Sequence, residues 1–174
     1  MRNLKLLACT TVFAVTFFFT DLGAAEAALW RDLSQKEVAP EILKLQQRQQ
    51  SAEARYLWID RAGLNARVSA GLASGDRTFF LDLPIPDGGF LGFEFQRAGT
   101  MSPALERKFP NIQAFSGRSV GKGAATAQME LTPAGLSVQV LDANGRWMIE
   151  PLDQADNAKV MSYFARDAQG REQT

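Results

Sequence analysis

Histidine is absent from the 174 residues, cysteine occurs once, and neither sign of charge is in surplus, with 19 Lys plus Arg against 19 Asp plus Glu. The missing histidine removes Ser-His-Asp and Cys-His catalysis, the histidine-based zinc sites and the commonest general base near neutral pH. Balanced charge leaves no cationic excess to neutralise a phosphate backbone, so nucleic acid is not an expected partner. Hydrophobic residues at 46% and charged residues at 22% match one globular domain and exclude a long disordered tail.

A long apolar run is also lacking. The uncharged stretch from Leu6 to Thr20 follows Arg2 and Lys5 and is most apolar at Phe17-Phe18-Phe19. It falls short of the about 20 residues that a spanning helix needs. It leads into small residues in which Ala25-Glu26-Ala27 fits an A-x-A cleavage site. Residues 1–27 therefore read as a signal peptide, with a mature start at Ala28, a secreted or periplasmic location and no membrane attachment after cleavage. Leu7-Ala8-Cys9 hints at a lipoprotein box, but most of the apolar run follows the cysteine instead of preceding it. Cys9 leaves with the leader, so the mature chain has no thiol or disulfide and must be held by its core alone.

Residues 28–53 are polar and mildly helical and read as an N-terminal arm. Ser34-Gln35-Lys36-Glu37 is a capping box, yet Pro40 follows so soon that a helix starting at Pro40 is an alternative. Residues 54–167 form the expected domain. Arg55 to Asp60 is rich in aromatic and branched residues and reads as a strand, with Asp60 capping a short helix through Leu72. Phe79, Leu81, Leu83 and Ile85 alternate with polar or outward positions, and after Pro86-Asp87-Gly88-Gly89 the alternation resumes at Leu91, Phe93 and Phe95, which predicts a hairpin. Ser102-Pro103 predicts a two-turn helix with Leu105 and Phe109 on one face, stopped by Pro110.

Further strands are predicted over 111–119, through Ala125, Ala127, Met129 and Leu131, through Leu136, Val138 and Val140, through Trp147 and Ile149, and from Val160 to Ala165. Thr132-Pro133-Ala134-Gly135 is a turn, and Asn144-Gly145 is a two-residue hairpin signal. Residues 168–174 form a polar tail. The resulting fold class is mainly β, an antiparallel sandwich or partly closed barrel of six or seven strands, with two short helices and the helical arm.

Three constellations could carry chemistry. Asp82, Asp87 and Glu94 lie near one hairpin as a loose carboxylate cluster suited to calcium or acid-base work. Turn geometry alone explains Asp87 in Pro-Asp-Gly, and Asp82 and Glu94 fall on outward strand positions. Trp30, Trp58 and Trp147 could form a flat sugar-binding platform, although Trp147 is in phase with Ile149 and Trp58 stands between Leu57 and Ile59, as core residues would. The stretch from Ser116 to Gly123 is glycine-rich and contains Gly-Lys, but Gly117 and Gly121 are three residues apart and Gly123 follows Lys122 where a phosphate loop needs a hydroxyl. No catalytic, cofactor-binding or metal-binding residue is assigned, and no cofactor is expected.

From Arg55 to Asp167 several segments recur in an order that carries a resemblance. They are Phe80-Leu81-Asp82-Leu83-Pro84-Ile85-Pro86-Asp87-Gly88, Met101-Ser102-Pro103-Ala104-Leu105, Phe109-Pro110-Asn111-Ile112, Phe115-Ser116-Gly117, Leu131-Thr132-Pro133-Ala134-Gly135, Ile149-Glu150-Pro151 and Tyr163-Phe164-Ala165-Arg166-Asp167. The series resembles the N-terminal, propeptide-like region of secreted bacterial reprolysin-like zinc metalloproteases. Those enzymes bear the H-E-x-x-H-x-x-G-x-x-H zinc helix, which a chain without histidine cannot supply. The resemblance implies a companion domain without its enzyme, either free-standing or the remnant of a truncated protease gene. In many metalloproteases a proregion cysteine ligates the zinc to keep it latent, which a mature chain without cysteine cannot do.

Two functions follow. One is a non-catalytic interaction domain that assists folding of, or restrains, a separate metalloprotease catalytic domain by covering its cleft, for example by adding an edge strand or lodging the tail there. The other is a β-sandwich binding module for an envelope polysaccharide or a cell-surface protein. An enzyme built on carboxylates ranks third.

Overall fold

The computed structural model describes residues 29–47, 54–99, 107–121, 123–153 and 156–168. The leader with its cleavage site and Cys9, the cap and most of the helix expected from Ser102, and the tail beyond Ala168 lie outside the described residues.

Nine strands form one antiparallel sheet: β1 (Trp30–Asp32), β2 (Arg55–Ile59), β3 (Thr78–Pro84), β4 (Phe90–Arg97), β5 (Gln113–Ser119), β6 (Thr126–Thr132), β7 (Gly135–Asp142), β8 (Gly145–Pro151) and β9 (Lys159–Phe164). The helices bounded within the described residues are α1 (Gln35–Gln47), α2 (Arg61–Ala73) and the single turn α3 (Ala165–Ala168). The order across the sheet is β1-β2-β9-β8-β7-β6-β5-β4-β3, so β3 to β9 run as a simple meander and β1 and β2 add to its far side. Of the two expected architectures the structure is the partly closed barrel, a single curled sheet forming a half-barrel.

Alternation builds the interior. Ala127, Met129 and Leu131 on β6, Val138 and Val140 on β7, and Trp147 and Ile149 on β8 all point to the concave side and are buried. At the β3–β5 end the core is aromatic: Phe79 stacks on Phe95 at 5.5 Å between centroids and meets Phe115 edge-on at 5.1 Å. Gly117 sits directly opposite Phe95, and a Cβ there would stand 2.6 Å from the ring. The glycine in the loosely phosphate-loop-like stretch is thus a packing requirement of the core.

Two expectations differ from the structure, and of the two expected helix starts the one behind the capping box is observed. The segment expected to be an arm supplies β1, with Leu29 and Trp30 buried, because a tryptophan indole is large enough to anchor a three-residue strand. Helix α1 begins at Gln35 behind the Ser34 cap, not at Pro40, and Val38 on it packs with Leu152 over the outward side of β2 and β9. The strand count is nine instead of six or seven, and β5 starts at Gln113, two residues later than expected.

The β7–β8 turn is shifted as well. Asp142 pairs with Gly145, so Ala143 and Asn144 are the central residues and Gly145 is the first residue of the returning strand. The Asp142 carboxylate accepts a hydrogen bond from the Asn144 backbone N–H at 2.7 Å, which favours an Asx turn over a centre at Asn144-Gly145.

Closure of the half-barrel is the least regular feature. In the β3–β4 register the carbonyls of Phe80, Asp82 and Pro84 share the edge facing away from β4. They accept hydrogen bonds from Arg67 Nη1 of α2 at 3.4 Å, Trp30 Nε1 of β1 at 2.8 Å and Ser162 Oγ of β9 at 2.8 Å. Side chains thus take the place of a tenth strand and cover an edge that would otherwise be open to pairing.

Candidate functional site

The carboxylates do not assemble into a site. Glu94 lies opposite Phe80 and Asp82 opposite Gly92, so the two are diagonal neighbours on the convex face, and the Asp82 carboxylate lies over Gly92. Asp87 is exposed in the β3–β4 turn. Among the described residues no group of three His, Cys, Asp or Glu is placed to hold a metal ion.

The sugar platform is not formed either. Trp147 and Trp30 are buried in the core and only Trp58, which alternates with buried Leu57 and Ile59, is part-exposed on the other face of the sheet. The glycine-rich stretch is divided between β5 and its exit loop, where Ser119 Oγ donates to the Gly123 carbonyl at 2.6 Å and accepts from the Ala125 N–H at 3.0 Å.

Two arginines do the polar work that the sequence did not mark out. Arg55 of β2 reaches across the seam. Its Nε and Nη2 donate to the two Asp32 oxygens at 2.6 and 2.9 Å, and its Nη1 donates to the carbonyls of Ile85 and Gly89 at 3.2 and 2.7 Å. The guanidinium also lies 5.0 Å from the centre of the Phe90 ring. That hydrogen bond from Arg55 holds the Asp32 carboxyl below its ordinary pKa against the opposing effect of burial.

Arg61 opens α2 immediately after the Asp60 cap, whose carboxylate accepts from the Ala62 N–H at 3.0 Å. It lines a cavity of about 290 Å³ together with Asn65 and Ser69, one and two turns further along α2. The opposite wall comes from Asn111, Gln113 and the Leu131-Thr132-Pro133 turn. Arg61 Nη2 donates to the Thr132 carbonyl at 3.0 Å, while Nη1 is closed off from water without an acceptor. Burial lowers the Arg61 pKa below its usual value, the mark of a cation deprived of solvent without a compensating anion. The helical spacing of Arg61, Asn65 and Ser69 was visible in the sequence. Their meeting with Gln113 and Thr132 depends on the fold.

The convex face carries a further pattern. Successive registers place Thr78, Gln96, Ser116, Gln128, Gln139, Met148 and Tyr163 side by side across seven strands, an uncharged row over a groove of about 530 Å³ at its β3–β6 end. The adjacent row runs Phe80, Glu94, Arg118, Thr126, Leu141 and Arg146, with Phe80 and Leu141 more than half exposed.

Among the described residues no helix is long and apolar enough to cross a membrane. No protein-family profile matches the chain, and no curated protein and no solved structure matches it either.

Proposed function

We propose that the protein is a secreted, non-catalytic interaction domain resembling the proregion of reprolysin-like zinc metalloproteases, and that it assists folding of, or restrains, a partner protease. The observation that carries this reading is the mutual packing of the segments in which the resemblance lies. Gly135 of the Thr-Pro-Ala-Gly turn lies against the Pro151 ring of Ile-Glu-Pro, and the adjacent Pro133 carbonyl accepts from Asn157 Nδ2 at 2.8 Å. Pro84 and Ile85 are tied to Ser162 and Arg55 at the seam. Two of the segments that carry the resemblance, residues 131–135 and 149–151, thus pack on each other in the fold.

Strand addition at β3 is not the mode of docking, because the carbonyls of its free edge are already engaged. The contact falls instead to side chains of the convex face, where Phe80 and Leu141 flank Glu94 and Arg118 as apolar and charged groups do at non-obligate interfaces.

A calorimetric titration of residues 28–174 against a reprolysin-like catalytic domain, metal-free and zinc-loaded, tests the reading. Comparable affinity in both states is expected, since residues 28–174 offer no thiolate or imidazole to the zinc. Binding to neither state overturns it.

The uncharged row of Gln96, Gln128 and Gln139 favours a second reading, a binding module for envelope polysaccharide, because side-chain amides match sugar hydroxyls as donors and acceptors. Recovery of glycans instead of protease in a pull-down from culture fluid would select it.

A further inference from the structure

We propose that α1 is a hinged lid on the convex face of the sheet, opening as one unit to expose an apolar strip of Tyr56, Met161 and Leu152 while the strands stay paired. The lid does not depend on the identity of any partner.

The strand register places the hinge. Strands β1 and β2 are antiparallel neighbours, with Asp32 opposite Leu57, so the chain leaves the sheet after β1 and re-enters it on the adjacent strand at Arg55. Everything between, α1 included, is an excursion whose two feet stand side by side. The first foot is fixed: Trp30 is buried in the core, Asp32 is held by Arg55, and the Leu33 N–H donates to the Tyr56 carbonyl at 2.9 Å. The Ser34 cap and the Arg31–Glu37 pair lie next to this foot. Swinging α1 away about Leu33 and Ser34 therefore breaks no bond of the β1–β2 ladder.

Little holds the lid shut. From Gln35 to Ile42 only Val38 is buried, Glu41 and Ile42 are half-buried and the other five residues are exposed. Val38 packs with Leu152 in a small cluster joined by Leu33, Ile42, Tyr56 and Met161, and none of the six belongs to the main core. Lys159 Nζ of β9 supplies the polar hold, donating to Glu41 Oε1 at 2.8 Å and to the Glu37 carbonyl at 3.3 Å. Pro40 inside α1 has no N–H for the Lys36 carbonyl, which leaves the helix one bond short. One buried valine and one ion pair are set against the chain entropy of ordering 13 residues. The closed state is thus favoured narrowly, as in elements that open well below the free energy of global unfolding.

Opening changes the surface in a definite way. Tyr56 and Met161 lie opposite each other on β2 and β9, on the outward side and in line with Glu150 of β8. Burial raises the Tyr56 phenol pKa, as a cover over the ring does. A closed α1 withholds the strip, and an open one adds it to the convex face.

The test is native-state amide hydrogen exchange of the intact chain. The α1 amides at 41–47 should share one protection factor, at least about a hundredfold below that of β6 to β8. Val38→Ala should lower it about tenfold throughout α1. Lys159→Met, which keeps the stem and removes the donor, should lower it about threefold. Ile149→Val, in the main core, should lower the β6–β8 protection about fivefold and leave α1 unchanged. Val38→Asp should hold the lid open with the sheet still folded and bring the Tyr56 phenol back towards its ordinary pKa. Protection graded from the Gln47 end would mean fraying, and an α1 that follows Ile149→Val would mean global unfolding. Either result, loss of the sheet in Val38→Asp, or an unmoved Tyr56 pKa would overturn the lid.

Discussion

The indole Nε1 of Trp30 donates to the backbone carbonyl of Asp82 at 2.8 Å, joining positions 52 residues apart in the sequence. That single bond ties the outermost strand on one side of the sheet to the outermost strand on the other. Ser162 Oγ repeats the device two residues along, on the carbonyl of Pro84. Trp30→Phe keeps the buried ring and removes the donor, so it should cost about 1 kcal/mol, and Ser162→Ala, at a fully buried position, should cost about 2 kcal/mol. Because both bonds close one seam, the double variant should be non-additive in urea unfolding. Strict additivity would mean that the two bonds close the seam independently.

Arg55 makes the same closure from β2 and offers a test of what holds it. Asp32 is exposed, with 62% of its side chain accessible, whereas the Arg55 side chain is 14% accessible. Solvent screening leaves the ion pair worth less than about 1 kcal/mol, and the larger share belongs to the carbonyls of Ile85 and Gly89 and to the Phe90 ring. Asp32→Asn should therefore be nearly neutral in urea unfolding. Arg55→Lys should cost about 2 kcal/mol, since an ammonium cannot reproduce the planar fork. Equal losses for the two variants would show that the ion pair dominates.

The legibility of the chain follows the range of its interactions. Strands β6 to β8 are readable because one face meets the core and the other meets water, so Ala127, Met129, Val138 and Val140 repeat with period two. Asp60 and Ser34 are readable because helix caps act within four residues. Strand β1 is not readable: three residues, Trp-Arg-Asp, carry no period, and the indole that secures them finds its acceptor on β3. The Arg61 cavity fails for the same reason, since α2 shows one wall and the other comes from turns that only the folded meander brings near.

Two glycines that end turns separate backbone strain from crowding. Gly135 and Gly145 both have positive φ, +145° and +124°, and each follows a two-residue turn, Pro133-Ala134 and Ala143-Asn144. Space is open around Gly145, whereas a Cβ on Gly135 would collide with the Pro151 ring. Gly145→Ala should cost about 1 kcal/mol from φ alone. Gly135→Ala should cost about 3 kcal/mol, with overpacking added to strain. The check is chemical denaturation of both variants. Equal costs would place the whole effect in the backbone.

The acid limb of the stability curve should depend on the capping box. Glu37 accepts from Arg31 Nη1 at 2.9 Å, from the Ser34 N–H at 2.9 Å and from the Ser34 hydroxyl at 2.8 Å. The Arg31 bond first, and the two Ser34 bonds after it, lower its pKa from 4.5 to about 2. A folded-state pKa below the unfolded one means that the carboxylate's contribution is complete above about pH 4.5 and is lost as pH falls towards 2. Asp32, lowered by its bond from Arg55, acts in the same direction. Lys159 has the opposite sign. Its bond to Glu41 raises its pKa, so its contribution is complete below the ordinary lysine value of 10.5 and is lost as pH rises through the folded one. Urea midpoints at pH 7 and pH 3 should therefore fall for the wild type. In Glu37→Gln the fall should be smaller, because a side chain that does not titrate contributes nothing to that slope. Glu37 is solvent-exposed, so the difference should also shrink as salt screens the Arg31 pair. An equal fall in both proteins would remove Glu37 from the acid response and leave it to Asp32 and the remaining carboxylates.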